Sequence, residues 1–216
     1  MSDELQAVIW DFGGVFTTSP FDAFAAYEVE RGLPKDFIRS VNAVNKDTNA
    51  WAQLERNEVT PAEFSDLFWE EAMAHGHDVP GSDVLGLLAG ALRPAIVEAL
   101  KVCKSNVKVG CITNNAKVGK GASMATDDEG AAAVADIMTL FDHVIESSKI
   151  GLRKPDPRIY ALMCEALDVD PKHCIYIDDL GINLKPARQM GMTTIKALNE
   201  TQILADLAEA TGYRLG

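Results

Sequence analysis

Five short apolar runs punctuate the chain, at residues 7–10, 107–113, 143–146, 174–177 and 193–196. Each is short enough for a buried strand, and the segments between them repeat apolar residues every three to four positions, as helices do. Strand–helix alternation of this kind predicts a parallel sheet covered by helices on both faces. The expected core is a Rossmann-like, doubly wound α/β fold with five parallel strands.

One interval breaks the rhythm. About 95 residues separate the first two runs, far more than a simple crossover needs, and the pattern there is helical. Thr60-Pro61-Ala62-Glu63 is a capping box with proline at the first helical position, and Phe64, Leu67, Phe68 and Met73 follow along one apolar face. Residues 21–31 and 37–45 also read as helices, with Trp51, Phe64, Phe68 and Trp69 expected in the interior of the module. Pro94 opens a helix to about Lys104 that leads into the second strand. The expected organisation is a core of residues 1–16 and 91–216, with an all-helical domain of residues 17–90 inserted after strand one. Residues 117–130, rich in Gly, Ser, Asp and Thr, read as a flexible surface loop.

Composition narrows the function classes. The 216 residues carry 20 Lys and Arg against 32 Asp and Glu, a net charge of −12. That balance argues against general binding to nucleic acid or anionic membranes. The first residues lack a basic and then apolar leader, no window is apolar enough to span a bilayer, and a cytoplasmic location is expected. Cys103, Cys111, Cys164 and Cys174 form no CxxC pair and read as reduced, buried thiols.

The candidate chemistry lies where the apolar runs end. In an open parallel sheet, ligands bind at the carboxyl ends of the strands, where strand order reverses. Strand one runs into Asp11-Phe12-Gly13-Gly14, strand two ends in Ile112-Thr113-Asn114-Asn115, Lys154-Pro155 follows strand three, and strand four ends in Ile177-Asp178-Asp179. Three carboxylates brought together would resist ionising unless a cation sat among them, and oxygen ligands suit Mg²⁺. A carboxylate beside a metal, with a lysine and a hydroxyl for equatorial oxygens, is what phosphoryl transfer requires.

The order Asp11, Thr113, Lys154-Pro155, Asp178-Asp179 resembles the four motifs of the haloacid-dehalogenase-like hydrolases. IESSKIGLRKPDPRIY and IYIDDLGINLKPARQMGMTTI are similar to the phosphatase domain of soluble epoxide hydrolases and to domains fused to acyl-CoA dehydrogenases. The resemblance implies that Asp11 is nucleophile and Mg²⁺ ligand, and that Gly13 lends its carbonyl to the metal. It implies that Thr113 and Asn114 bind phosphoryl oxygens while Lys154 neutralises charge. It further implies that Asp179 binds Mg²⁺ with Asp178 in its first or second shell, that Asn183 supports their loop, and that the helical insert is a cap over a small phosphorylated substrate.

Gly13 departs from that pattern, because most phosphatases of the superfamily carry a proton-transferring Asp there. Nucleophilic attack and metal binding survive the change; leaving-group protonation and activation of water need another source, such as the cap, Thr17 or Thr18. Two other classes stay open: a binding module that kept the fold and lost turnover, and a metal-free haloacid-type dehalogenase, against which the Asp178-Asp179 charge density speaks. The remaining motifs read as bland. His75-Gly76-His77-Asp78 fits a solvated helix end, while the kinase-like Asp11-Phe12-Gly13 and the P-loop-like Gly119-Lys120 lack their partners.

Overall fold

In the computed structural model, which describes residues 5–115 and 128–215, five parallel strands form one sheet in the order β3-β2-β1-β4-β5. They are β1 (Ala7–Trp10), β2 (Lys108–Thr113), β3 (His143–Glu146), β4 (Cys174–Asp178) and β5 (Thr193–Lys196). β1 is central: Val8 lies beside Val109 on one side and Ile175 on the other. The chain builds outward from β1 to β3, then crosses back to lay β4 on the opposite side of β1. Strand order therefore reverses between β1 and β4.

Side chains alternate across each strand, so one sheet yields two apolar faces. Val8 and Trp10 pack with Ile96, Leu100 and Cys103 of α6 (Pro94–Lys104), Val134 and Ile137 of α7 (Asp128–Met138), and Ile203 and Leu207 of α11 (Glu200–Thr211). Ala7 and Ile9 pack the other way, against α9 (Pro157–Leu167) and α10 (Gly181–Gln189). All four cysteines are buried free thiols, and among the described residues no helix is long and apolar enough to cross a membrane.

Between β1 and α6 lie five helices: α1 (Pro20–Glu30), α2 (Phe37–Ala43), α3 (Ala50–Glu55), α4 (Pro61–Ala74) and α5 (Gly81–Gly86). They have their own buried cluster, with Phe24, Ile38, Leu54, Phe64, Phe68 and Ala72 at its centre. The α4 capping box forms as expected, with Thr60 N donating to Glu63 Oε2 at 2.7 Å and Glu63 N to Thr60 Oγ1 at 3.2 Å. α2 and α3 are too short to persist alone, and neighbouring carboxylates hold their first turns. Glu28 of α1, itself buried, accepts from Asp36 N at 2.8 Å and Ile38 N at 3.0 Å. Glu71 of α4 accepts from Ala50 N at 2.8 Å.

The chain enters and leaves this helical layer side by side. Thr17 and Leu92 form an antiparallel bridge, Thr18 N donates to Ala91 O at 2.8 Å, and Arg93 N donates to Phe16 O at 2.8 Å. The short helix α8 (Ser147–Ile150) follows β3 directly.

Several expectations need adjusting. β2 begins at Lys108 rather than 107, and α1 and α2 end at Glu30 and Ala43 rather than at 31 and 45. Asp128, Glu129 and Gly130 open α7 rather than closing a loop; the rest of the 117–130 segment lies outside the described residues. Met73 and Trp69 sit on the solvent side of α4, 46% and 42% exposed, because a 14-residue helix spends its buried stripe on Phe64, Phe68 and Ala72. Trp69 Nε1 donates to Asp78 Oδ1 at 2.8 Å, which satisfies its polar end at the surface. His77 packs edge-on to Phe37 at 4.8 Å, within the helical layer.

The capping role of Glu28 gives a stability test. Glu28→Ala leaves the backbone N–H groups of Asp36, just before α2, and of Ile38, in its first turn, without an acceptor, and it should cost about 2–3 kcal/mol. Urea unfolding followed by circular dichroism reads this loss; an unchanged midpoint would show that α2 forms without the carboxylate.

Candidate active site

A cavity of about 830 Å³ lies between the carboxyl edge of the sheet and the helical layer. Asp11, Gly13, Thr113, Asn114, Lys154 and Asp179 line it from the sheet, and Phe21, Phe24, Trp51, Glu55 and Leu88 line it from the helices. The four strand-end segments thus converge, at the crevice where strand order reverses.

Asp11 continues β1 by donating its N–H to Ile177 O at 2.8 Å, which fixes its backbone against β4. Its Oδ1 meets Lys154 Nζ at 2.7 Å. The same ammonium reaches Asp178 Oδ2 at 2.9 Å, and Lys154 is only 1% exposed. Burial alone would push this lysine toward neutrality; the charges of Asp11 and Asp178 outweigh it, and Lys154 is held charged.

Asp178 is fully buried, and its lone pairs are taken. Leu180 N, Asn183 Nδ2, Tyr176 Oη and Lys154 Nζ all donate to it, at 2.8, 3.0, 2.6 and 2.9 Å. Tyr160 Oη donates to Asn183 O at 2.8 Å and so holds the asparagine in turn. Asp178 is accordingly a hub that fixes the lysine and the β4–α10 turn. Asp179 has no such set of partners and faces the cavity. Oxygens of Asp11, Asp178 and Asp179 lie within 4.8 Å of one another. Burial first, and then the charge of Asp178, push the Asp179 carboxyl up to about 6. Burial likewise raises Asp11, with Lys154 opposing and both neighbouring aspartates adding to the rise.

The turn after β1 is shaped by its two glycines, which have different reasons to be there. Gly14 has φ +72°, and a Cβ there would sit 2.3 Å from Asp179 Oδ2. Only hydrogen fits between the two loops. Gly13 has open space where a side chain would stand. Arg93 braces the turn by donating from Nη1 to Gly14 O at 2.8 Å and Val15 O at 3.2 Å. No motif announces that role, because Arg93 reaches the site only through the pairing of the two connections. Tyr176 was more legible: two residues before Asp178 on a strand, it must share its face.

Thr113 is buried at the end of β2 and lines the cavity. Asn114 is engaged differently. Its amide pairs with the backbone of Lys154, Oδ1 accepting from N at 2.8 Å and Nδ2 donating to O at 3.0 Å. Thr17 lines the cavity, its hydroxyl accepting from Gly14 N at 3.3 Å, whereas Thr18 Oγ1 accepts from Ala91 N in the exposed connection. From the helices comes Glu55, whose carboxyl is raised by burial and lowered by Arg153, which it meets at 2.6 Å.

The profile of one family, described as haloacid dehalogenase-like hydrolase, matches residues 5–191. The chain belongs to that family. Mouse acyl-CoA dehydrogenase family member 10 is 29% identical over 97% of this hydrolase, and mouse bifunctional epoxide hydrolase 2 is 28% identical over 96%. The hydrolase spans only 19% and 39% of the lengths of those two relatives. Sesquiterpene phosphatase astK of Aspergillus oryzae is 26% identical and matched over its full length, with 98% of this chain covered. Among solved structures, a family enzyme of Bacteroides thetaiotaomicron in complex with magnesium and inorganic phosphate shares the fold. It has a TM-score of 0.59 at 19% identity, covering 93% of this chain and 98% of that one.

Two experiments follow from this geometry. Gly13→Ala should melt like the wild-type hydrolase, whereas Gly14→Ala should lower the melting temperature, because its methyl must displace Asp179. Equal melting of the two variants would contradict the close approach. The second concerns pH. An unfolded Asp titrates near 3.9, below the value of about 6 for folded Asp179. Its contribution to stability is thus complete below about pH 4 and is lost as pH rises through about 6. In EDTA, Asp179→Asn should therefore raise the melting temperature at pH 7.5 and leave it nearly unchanged at pH 4. A lower melting temperature at pH 7.5 would mean that the carboxylate is stabilising as it stands.

Proposed function

We propose that this hydrolase is a cytoplasmic, Mg²⁺-dependent phosphatase or phosphotransferase for a small phosphorylated metabolite, with Asp11 as its nucleophile. The observation that carries this reading is the 2.7 Å contact of Lys154 Nζ with Asp11 Oδ1 on the floor of the cavity, inside a cluster of three carboxylates. One ammonium cannot neutralise three carboxylates, and burial first, with repulsion between the neighbouring aspartates added, raises the affinity of Asp11 and Asp179 for protons. A hard divalent cation with oxygen ligands and room for water fits that donor set. Asp11, Asp179 and the Gly13 carbonyl would hold it, with Asp178 behind them because its own oxygens are already filled. Bound there, Mg²⁺ would offset charge on the transferring phosphoryl group.

The roles of the chain's own residues follow from their placement. Asp11 attacks phosphorus and carries the phosphoryl group as an aspartyl-phosphate until water releases it. Lys154 balances charge on Asp11 and on the phosphoryl oxygens, and the Thr113 hydroxyl donates to one of them. Asn114 holds the backbone of Lys154 in register. Residues 17–90 act as a cap whose inner wall of Phe21, Phe24, Trp51 and Leu88 meets the organic part of the substrate and keeps water out. The relative named sesquiterpene phosphatase is consistent with a phosphate ester as substrate. Dehalogenases share the fold, but metal-free chemistry has no use for the charge of Asp179, which, unlike Asp178, is not spent on holding Lys154 and the β4–α10 turn.

Gly13 shapes the kinetics. Without a carboxyl at that position, Asp11 displaces aryl or acyl phosphates easily, while alkyl phosphates must lose an unprotonated alkoxide. Turnover of p-nitrophenyl phosphate should require Mg²⁺, stop with EDTA and fall to background in Asp11→Asn. Full activity without metal, or Asp11→Asn within about tenfold of wild type (1.4 kcal/mol), would defeat the mechanism. The rate should fall steeply as leaving-group pKa rises. Gly13→Asp, which has the space to fold, should flatten that slope and speed alkyl phosphates by about 10². A flat slope in the wild type would place the acid elsewhere in the cavity.

A further inference from the structure

One residue of the helical layer touches the floor of the site in a way the proposed chemistry does not use. Glu55 ends α3 and is buried, with both its backbone and its side chain spent on the core. Its carbonyl accepts from Ser147 Oγ at 2.8 Å, and the same hydroxyl accepts from Asn115 N at 3.0 Å. Its carboxylate meets Arg153 Nη2 at 2.6 Å and Asn114 Nδ2 at 3.4 Å. Arg153 spans the same divide a second time, donating from Nη1 to Lys46 O at 3.1 Å. Arg153 and Asn114 are also the two residues that fix Lys154: one is its chain neighbour, and the other pairs with its backbone through both amide atoms. An unbroken set of contacts therefore runs from α3 to the ammonium that touches Asp11.

We propose that Glu55 is a positioning residue, through which the docked helical layer sets Lys154 against Asp11. This rests on the phosphatase reading given above. With the layer seated, the Glu55 carboxylate holds Arg153 Nη2 and the Asn114 amide. These fix the backbone of Lys154, whose ammonium then stands where charge develops during phosphoryl transfer. With the layer lifted, the side chains of Arg153 and Asn114 lose the partners supplied by Glu55 and Lys46, and the lysine backbone between them is held less firmly in register. The cap and the catalytic lysine would thus be parts of one assembly, and charge compensation would be complete only over a closed cavity. Small misplacement of a catalytic group costs as much as 10²-fold in rate, so one carboxylate can matter that much without touching substrate.

The test uses the full chain with Mg²⁺ and a series of aryl phosphates, in wild type, Glu55→Gln, Arg153→Gln and the double variant. Each single change should lower kcat about 10- to 10²-fold, with KM moving less than about threefold. The double variant should be no worse than the worse single, because both cut the same link. The leaving-group slope should match that of the wild type. Additive losses, or singles within threefold of wild-type kcat, would overturn the inference. So would a loss that grows with leaving-group pKa, since Glu55 would then be carrying a proton itself. If Glu55→Gln does not fold, Arg153→Gln reads the link from the core side. Hydrogen exchange over residues 149–156 gives a second measure that needs no turnover. Faster exchange in Glu55→Gln upholds the link even if the wild type proves inactive on phosphates, which would be a failure of the functional reading alone. Unchanged exchange overturns the link.

Discussion

A buried ammonium between two carboxylates organises this molecule. Lys154 is 1% exposed and would be costly to hold charged in an apolar interior without Asp11 and Asp178. Those two residues sit on different strands, at the ends of β1 and β4, and the lysine belongs to neither. Satisfying it demands that the first strand, the fourth strand and the segment before α9 stop at one height above the sheet. Strand register supplies that condition, with Trp10 beside Ile177 and Asp11 bonded to the Ile177 carbonyl. The surrounding turns then have little freedom. Tyr176, Asn183 and Leu180 complete the shell of Asp178, and Gly14 is forced to be small by the passage of Asp179.

The same arrangement leaves one requirement open. Asp178 has donors on both oxygens, Asp11 has the lysine, and Asp179 is pushed up to about 6 by burial and then by the charge of Asp178, which Lys154 and Arg93 only partly offset. The three carboxylates are therefore not equivalent. One is structural, one faces both the lysine and the cavity, and one lines the cavity without a comparable set of donors. This inequality distinguishes a site from an acidic surface patch, since exposed carboxylates would be screened and would show no such division.

The sheet was legible because buried parallel strands leave near-continuous apolar runs. Four of the five strands start where the apolar pattern starts, and Asp11, Thr113, Lys154 and Asp178-Asp179 stand at or just beyond their carboxyl ends. In the helical layer α1, α2 and α4 were legible, the last through its Thr60 capping box, and Pro94 marked the start of α6 beyond it. α3 and α5, each six residues long, left no periodic signal. The carboxylates of Glu28 and Glu71 that hold short helices act across the layer, and sequence spacing carries no trace of such contacts. Trp69 shows the opposite failure: an aromatic on an amphipathic helix was expected inside, yet it lies off the buried stripe of Phe64, Phe68 and Ala72, with its indole N–H satisfied by Asp78. Arg93, Arg153 and Glu55 were invisible for a related reason. Their roles depend on which segments meet in space, and a lone charged residue at an element's end or in a loop has no default meaning in sequence.

The paired connections at Thr17 and Leu92 have a consequence for how such a protein can change over time. Because the chain leaves and re-enters the core at adjacent points, the core does not sense how much polypeptide lies between them, and lengthening the excursion costs little closure entropy. Selection can then rewrite the wall above the cavity by swapping, shortening or extending that excursion, while the ends of β1, β2 and β4 stay as they are. The exit connection is less free than it looks, since Arg93 clasps the carbonyls of Gly14 and Val15. A lineage that acquires a new upper half must keep that clasp, or replace it, before the older half can go on working.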